Sequence, residues 1–139
     1  MDTTTNTTLA ERLFHSHLAK FINPDMTKDT YAELFTEDAV QEFPYAPAPY
    51  AKEVVGRDAI ADYIANVVNG AKNWNFRNFQ FSGTIDPNTF FVEFEGSADV
   101  IATEKPYHQL YIGRITLRDG RIAAYREFWN PVWIMDAFM

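Results

Sequence analysis

The sequence predicts an α+β domain: three helices, with one early strand among them, followed by a long antiparallel meander that curves around the helices. Two observations carry this expectation. Apolar residues recur at helical spacing up to Asn69 and then switch to alternation, and turn-forming residues bound each alternating run. A chain of 139 residues suits one domain with a sizeable core.

The first helix is expected to start at Thr8, whose hydroxyl caps it while Glu11 returns the bond. Residues 1–7 then form a flexible tail and 8–139 the domain. Leu13, Phe14, Leu18, Phe21 and Ile22 make an apolar stripe that includes His17, and Pro24 stops the helix. A second short helix runs from Lys28 to Phe35. Ala39 to Tyr45 alternates as a strand with Gln41, Phe43 and Tyr45 on one face, until Pro44, Pro47 and Pro49 leave residues 46–55 as a loop. The third helix spans Arg57 to Asn69, turns Ile60, Ile64, Val67 and Val68 inward, and closes with a left-handed cap at Asn69-Gly70. Four strands follow, at about 75–85, 90–103, 107–118 and 121–129. Asp86-Pro87-Asn88, Glu104-Lys105-Pro106 and Asp119-Gly120 separate them.

Composition narrows the function. Hydrophobic residues are 47% of the chain and aromatics 16%, which excludes a disordered chain and supplies material for a pocket. A net charge of -7, with twelve scattered Lys and Arg, argues against nucleic acid and anionic membrane surfaces. The absence of cysteine removes disulfides, thiolate nucleophiles and zinc-thiolate sites. The N-terminus lacks the features of a signal peptide, and no apolar run approaches the roughly 20 residues that span a bilayer. The expectation is a cytoplasmic protein that acts on a small molecule without a cofactor or a metal.

Glu127 is the most informative residue, a carboxylate flanked by Tyr125, Phe128 and Trp129 in an aromatic strand. If it is buried, apolar walls raise its pKa toward the range useful for proton transfer. A two-residue hairpin at Asp119-Gly120 pairs Arg118 with Arg121, which sets Arg114 opposite Tyr125, Ile112 opposite Glu127 and Leu110 opposite Trp129 on one face. In that register Glu127 either lines a pocket as an acid/base group or is held by Arg114. His17 is either a second proton carrier or a hydrogen-bonded core residue. Tyr45, Tyr63, Tyr125 and Trp129 form an aromatic slot or serve as packing. Glu93, Glu95 and Asp99 share one strand face, as a cation site or a solvated surface. With both faces of the sheet apolar, one packs on helices and the other meets a second copy of the chain.

Val55-Gly56-Arg57-Asp58-Ala59-Ile60 and Asp119-Gly120-Arg121-Ile122, in this order of elements, resemble the cone-shaped fold shared by ketosteroid isomerase, SnoaL-type cyclases and nuclear transport factor 2. Leu34-Phe35-Thr36-Glu37-Asp38, Phe91-Val92-Glu93 and Arg126-Glu127-Phe128-Trp129-Asn130-Pro131 are similar to the phenazine-biosynthesis proteins PhzA and PhzB. The resemblance implies a cone pocket with Glu127 as its acid/base residue. The histidine that supports this glutamate in the phenazine proteins has no counterpart between His17 and His108. Phe43, Tyr45, Tyr63, Leu110, Ile112, Arg114, Tyr125 and Trp129 are the expected lining. The substrate is expected to be cyclic or aromatic, for isomerisation, dehydration, cyclisation or condensation; the alternative is a non-catalytic ligand-binding or dimerisation module of the same fold.

Overall fold

The computed structural model describes residues 3–139. Its elements run α1 (Thr3–Ile22), α2 (Lys28–Ala32), β1 (Phe35–Glu42), β2 (Glu53–Val55), α3 (Arg57–Asn69), β3 (Ala71–Gly83), β4 (Thr89–Val100), β5 (Pro106–Arg118), β6 (Arg121–Phe128) and α4 (Pro131–Phe138). The expected α+β class is observed, with a curved six-stranded sheet in the order β2-β1-β6-β5-β4-β3. The sheet is mixed rather than wholly antiparallel, because β1 joins β6 in parallel.

Several boundaries differ from the expectation for local reasons. Helix α1 reaches back to Thr3, ahead of the expected cap at Thr8; residues 1–2 of the expected tail lie outside the described residues. Helix α2 is capped by Thr27, which accepts from Thr30 N–H, but ends at Ala32. Phe35 has joined the sheet beside Ile122 by then, and Leu34 O accepts from Ile122 N–H at 2.9 Å. Residues 53–55, expected in a loop, form β2 on the edge beside β1. Helix α3 starts from Gly56 at φ 91°, a conformation suited to glycine. It ends at Gly70 with φ -79°, so the left-handed cap expected there does not form. Helix α4 was absent from the expectation, although Asn130 caps it by accepting from Val132 N–H and Pro131 occupies its first turn. Among the described residues no helix is long and apolar enough to cross a membrane.

The register of β5 against β6 positions the site. Asp119 and Gly120 both adopt positive φ, and Arg118 pairs with Arg121 as the turn chemistry predicts. Leu117 then faces Ile122 but Thr116 faces Ala124, so Ala123 is one extra residue on β6. This β-bulge moves every later pair by one position. Tyr125 lies opposite Ile115 and Glu127 opposite Gly113, not opposite Arg114 and Ile112. The inner face therefore carries Tyr111, Gly113 and Ile115 from β5, all buried, while Leu110 and Ile112 are 50% and 43% exposed on the outer face.

The core lies between this inner face and the helices. Phe14 from α1 sits among Phe79, Phe81, Phe94 and Tyr125, with ring centroids 5.0 to 6.4 Å away. Buried Gln109 ties the end of β6 to β5: its Nε2 donates to Asn130 O at 3.0 Å and its Oε1 accepts from Asn130 N–H at 3.0 Å. Replacing Gln109 by Leu leaves both Asn130 backbone groups unpaired and is expected to cost about 2 kcal/mol. Urea unfolding measures that loss, and an unchanged midpoint contradicts the role given to Gln109.

Candidate active site

A cavity of about 350 Å³ opens between the inner sheet face, α1, α3 and α4. Its walls are mostly aromatic. Trp74 stacks on Phe76, and Phe94 on Tyr111, at interplanar angles of 10° and 7°. Glu127 is the one carboxylate among the described lining residues, and no Lys or Arg accompanies it.

Strand alternation after the bulge turns Tyr125, Glu127 and Trp129 into this space. The Tyr125 hydroxyl donates to Glu127 Oε2 at 2.6 Å. Tyr125 can reach over because its partner strand has a glycine. A Cβ on Gly113 would lie 2.6 Å from a Tyr125 ring carbon and 2.8 Å from its hydroxyl oxygen. Glu127 is half-buried in the cavity wall, and the aromatic surroundings strip much of the bulk hydration from its carboxylate. That desolvation pushes its pKa up to about 7, against the opposing effects of hydrogen bonds from Tyr125 and Trp129.

His17 is buried, and its Nδ1 lies 2.7 Å from the Tyr31 hydroxyl. Burial lowers its pKa to about 4, so it is neutral near pH 7. Its ring lies 5.4 Å from that of Tyr125. Tyr107 and Tyr111 share a hydrogen bond between their hydroxyls at 2.9 Å. Burial raises the pKa of both, which keeps them protonated donors.

Of the expected site residues, the structure brings together Glu127, His17, Phe43, Tyr63, Tyr125 and Trp129. Leu110, Ile112 and Arg114 belong to the opposite face, because the bulge at Ala123 reverses their pairing. Arg114 consequently has no place as the partner of Glu127. Tyr45 is 56% exposed and packs on Phe128 outside the cavity. Strand β1 ends at Glu42 and the chain turns, with Ala46 N–H donating to Phe43 O, so alternation no longer governs position 45. Tyr50 from that loop lines the cavity instead. The sequence reading also missed Gln41, Trp74, Tyr107 and Tyr111 as lining; the β5 alternation of Tyr107, Gln109 and Tyr111 was the available signal for the last pair. On β4, Glu95 pairs with Arg77 at 3.5 Å and accepts from Asn78, and Asp99 accepts from Asn73. Those acids belong to a solvated surface network.

The SnoaL-like domain family matches residues 14–125. An uncharacterised Bacillus subtilis protein, YesE, is 41% identical over 87% of this chain and 84% of its own length. An uncharacterised PhzA/B-like protein of Pseudomonas aeruginosa is 33% identical over 77% of this chain and 75% of its own. The crystal structure of a candidate isomerase from Bacillus subtilis superposes with a TM-score of 0.85 at 34% identity, over 99% of this chain and 96% of that one. More distant solved neighbours share the fold of nuclear transport factor 2-like proteins.

Two outcomes test the geometry. The folded chain holds the Glu127 proton more tightly than the unfolded chain does. Its contribution to stability is therefore complete below pH 4.5 and is lost as pH rises to about 7. The loss is about 3 kcal/mol, at about 1.4 kcal/mol for each pH unit. Glu127→Gln should match the parent chain in acid and exceed its stability by about that amount above neutrality, as read by denaturant unfolding across pH. Gly113→Ala should push Tyr125 off the carboxylate and raise the Glu127 pKa further, which carboxyl NMR titration reports directly.

Proposed function

The chain belongs to the SnoaL-like domain family, and from that membership we propose that it is a small cofactor-independent enzyme in which Glu127 moves a proton on a cyclic, carbonyl-bearing molecule. The observation that carries the reading is the one carboxylate among the described cavity-lining residues, Glu127, held by the Tyr125 hydroxyl and with a pKa of about 7. Near neutral pH such a group is populated both as base and as acid. Ionised, the Glu127 carboxylate removes a proton from the carbon next to a carbonyl, and the released electron pair moves onto the carbonyl oxygen as an enolate. The same carboxylic acid then returns the proton, at that carbon or at a conjugated one, which completes an isomerisation without net change in the enzyme. Neutral tyrosine hydroxyls in the cavity are suitable donors to the enolate oxygen.

His17 has a smaller part in this reading than the sequence suggested. With its pKa lowered to about 4 and Nδ1 engaged by Tyr31, it supports the Tyr125 wall as a neutral group rather than carrying a second proton. Similarity to the candidate isomerase favours isomerisation over the condensation suggested by the phenazine relatives. The open cavity beside Glu127 favours chemistry over a purely packed module.

The reading includes a homodimer. Leu110 and Ile112 are exposed on the outer sheet face, an apolar surface suited to a second copy. Light scattering should report a dimer at micromolar concentration and a monomer for Ile112→Glu. A parent chain that is monomeric rejects this part.

Proton transfer is measurable without knowing the natural substrate, as deuterium uptake beside the carbonyl of tetralone in heavy water. The exchange rate should rise with pH through about 7 as Glu127 ionises. Glu127→Gln should lower it by about 10²- to 10⁴-fold. Tyr125→Phe removes a bond that lowers the Glu127 pKa and should move the profile to higher pH. A Glu127→Gln variant that exchanges at the parent rate would falsify the proposal.

A further inference from the structure

Gln41 is fully buried on β1 and lines the cavity. Neither Oε1 nor Nε2 finds a hydrogen-bond partner among the described residues. The carboxamide acts on the Tyr31 hydroxyl and lowers its pKa against the larger rise from burial, but no Gln41 atom makes a hydrogen bond of acceptable length and angle, and that hydroxyl already lies 2.7 Å from His17 Nδ1. The contrast with Gln109 is direct. That carboxamide is equally buried, yet its Oε1 accepts from Asn130 and Leu110 N–H and its Nε2 donates to Asn130 O. An unpaired buried amide destabilises the fold, so packing alone would favour leucine or methionine at position 41. The cavity is where the missing partner can enter.

Charge limits what that partner can be. The described lining offers no Lys or Arg, and its one carboxylate is Glu127. A carboxylate or phosphate brought inside would lose hydration without gaining a counter-charge, and would repel ionised Glu127. Stacked rings on the walls suit a flat apolar body.

We propose that the Gln41 carboxamide is the polar recognition group of this cavity, and that its ligand is an uncharged ring compound whose edge hydroxyl or enol donates to Oε1 and accepts from Nε2. The inference rests on the reading of the cavity as a small-molecule site and names the ligand class for it. Gln41 pairs with Tyr125 across the β1–β6 junction. Recognition and proton transfer thus lie on adjacent strands, and a hydroxyl held by Gln41 orients the ring relative to Glu127.

Calorimetric titration of the whole chain with naphthol, naphthalene and naphthoate at neutral pH tests this. Naphthol should bind more tightly than naphthalene, and naphthoate should bind at least about tenfold more weakly than naphthol. Gln41→Leu should reduce the naphthol preference over naphthalene by about tenfold, retain naphthalene affinity within about twofold and raise the thermal midpoint. In the parent chain, the Gln41 side-chain amide resonances should move downfield with naphthol relative to their position with naphthalene, whose ring current alone acts on them, a readout independent of how the variant folds. An unchanged preference in Gln41→Leu, a Gln41 amide no further downfield at naphthol saturation than with naphthalene, or naphthoate binding as tightly as naphthol each overturns the inference. Failure of all three probes to bind overturns both it and the small-molecule reading. Loss of the Glu127 role alone would appear in deuterium exchange with these affinities intact.

Discussion

One unpaired residue, Ala123, is the constraint on which the site depends. Without the bulge, the tight turn at Asp119-Gly120 would carry its register along β6 and set Arg114 and Ile112 against Tyr125 and Glu127. With it, Ile122 and Tyr125 are both buried at a spacing of three, which a regular strand cannot achieve with its period of two. The strand thus serves the hydrophobic core near the turn and the cavity farther along. Everything polar in the cavity wall from β6 follows from that shift.

The shift brings an energetic conflict, and the neighbouring residues limit it. A carboxylate half-buried among aromatic walls loses much of its hydration, and no cation among the described lining residues offsets the loss. Tyr125 and Trp129 stabilise the ionised form in part, enough to leave the pKa near neutrality rather than higher. Tyr125 can do this only because Gly113, directly across from Glu127, leaves space for its ring. A glycine in the middle of a strand ordinarily weakens it. Here it trades local strand stability for a hydrogen bond that tunes the carboxylate, which is the pattern expected where function competes with packing.

Much of the fold was legible in the sequence because its signals were local. Helix α3 had a four-position apolar stripe, and its observed limits are the expected ones. The hairpin dipeptide Asp119-Gly120 adopts the predicted conformation. Glu127 stood out as a charge in an aromatic strand, and it does line the cavity. The misplaced residues share one cause. Ala123 and Ala124 are small and carry no preference for either face, so nothing in the β6 pattern announces an extra residue, and Leu110, Ile112 and Arg114 were assigned to the wrong side together. Helix α4 did leave a trace in Asn130-Pro131, a cap followed by a first-turn proline, but the same pair also reads as the end of a strand. Gln41 was visible only as one member of an alternating strand, since burial without a partner is a property of the assembled structure.

The least local contact in the sheet, parallel pairing of β1 with β6, completes the cavity. It joins residues near position 40 to residues near 125, whereas β3 through β6 form by successive hairpins. Closing so long a loop costs chain entropy that the hairpins do not face, so this junction gains least from local order. Gln41 and Tyr125 are paired across it. The meander alone can bring Gly113, Tyr125 and Glu127 together, but the unpaired carboxamide joins them only when the first strand docks on the last. An occupant of the cavity that touches Gln41 and Glu127 together therefore binds the fully assembled sheet in preference to any state with β1 detached, and tightens the junction as it binds.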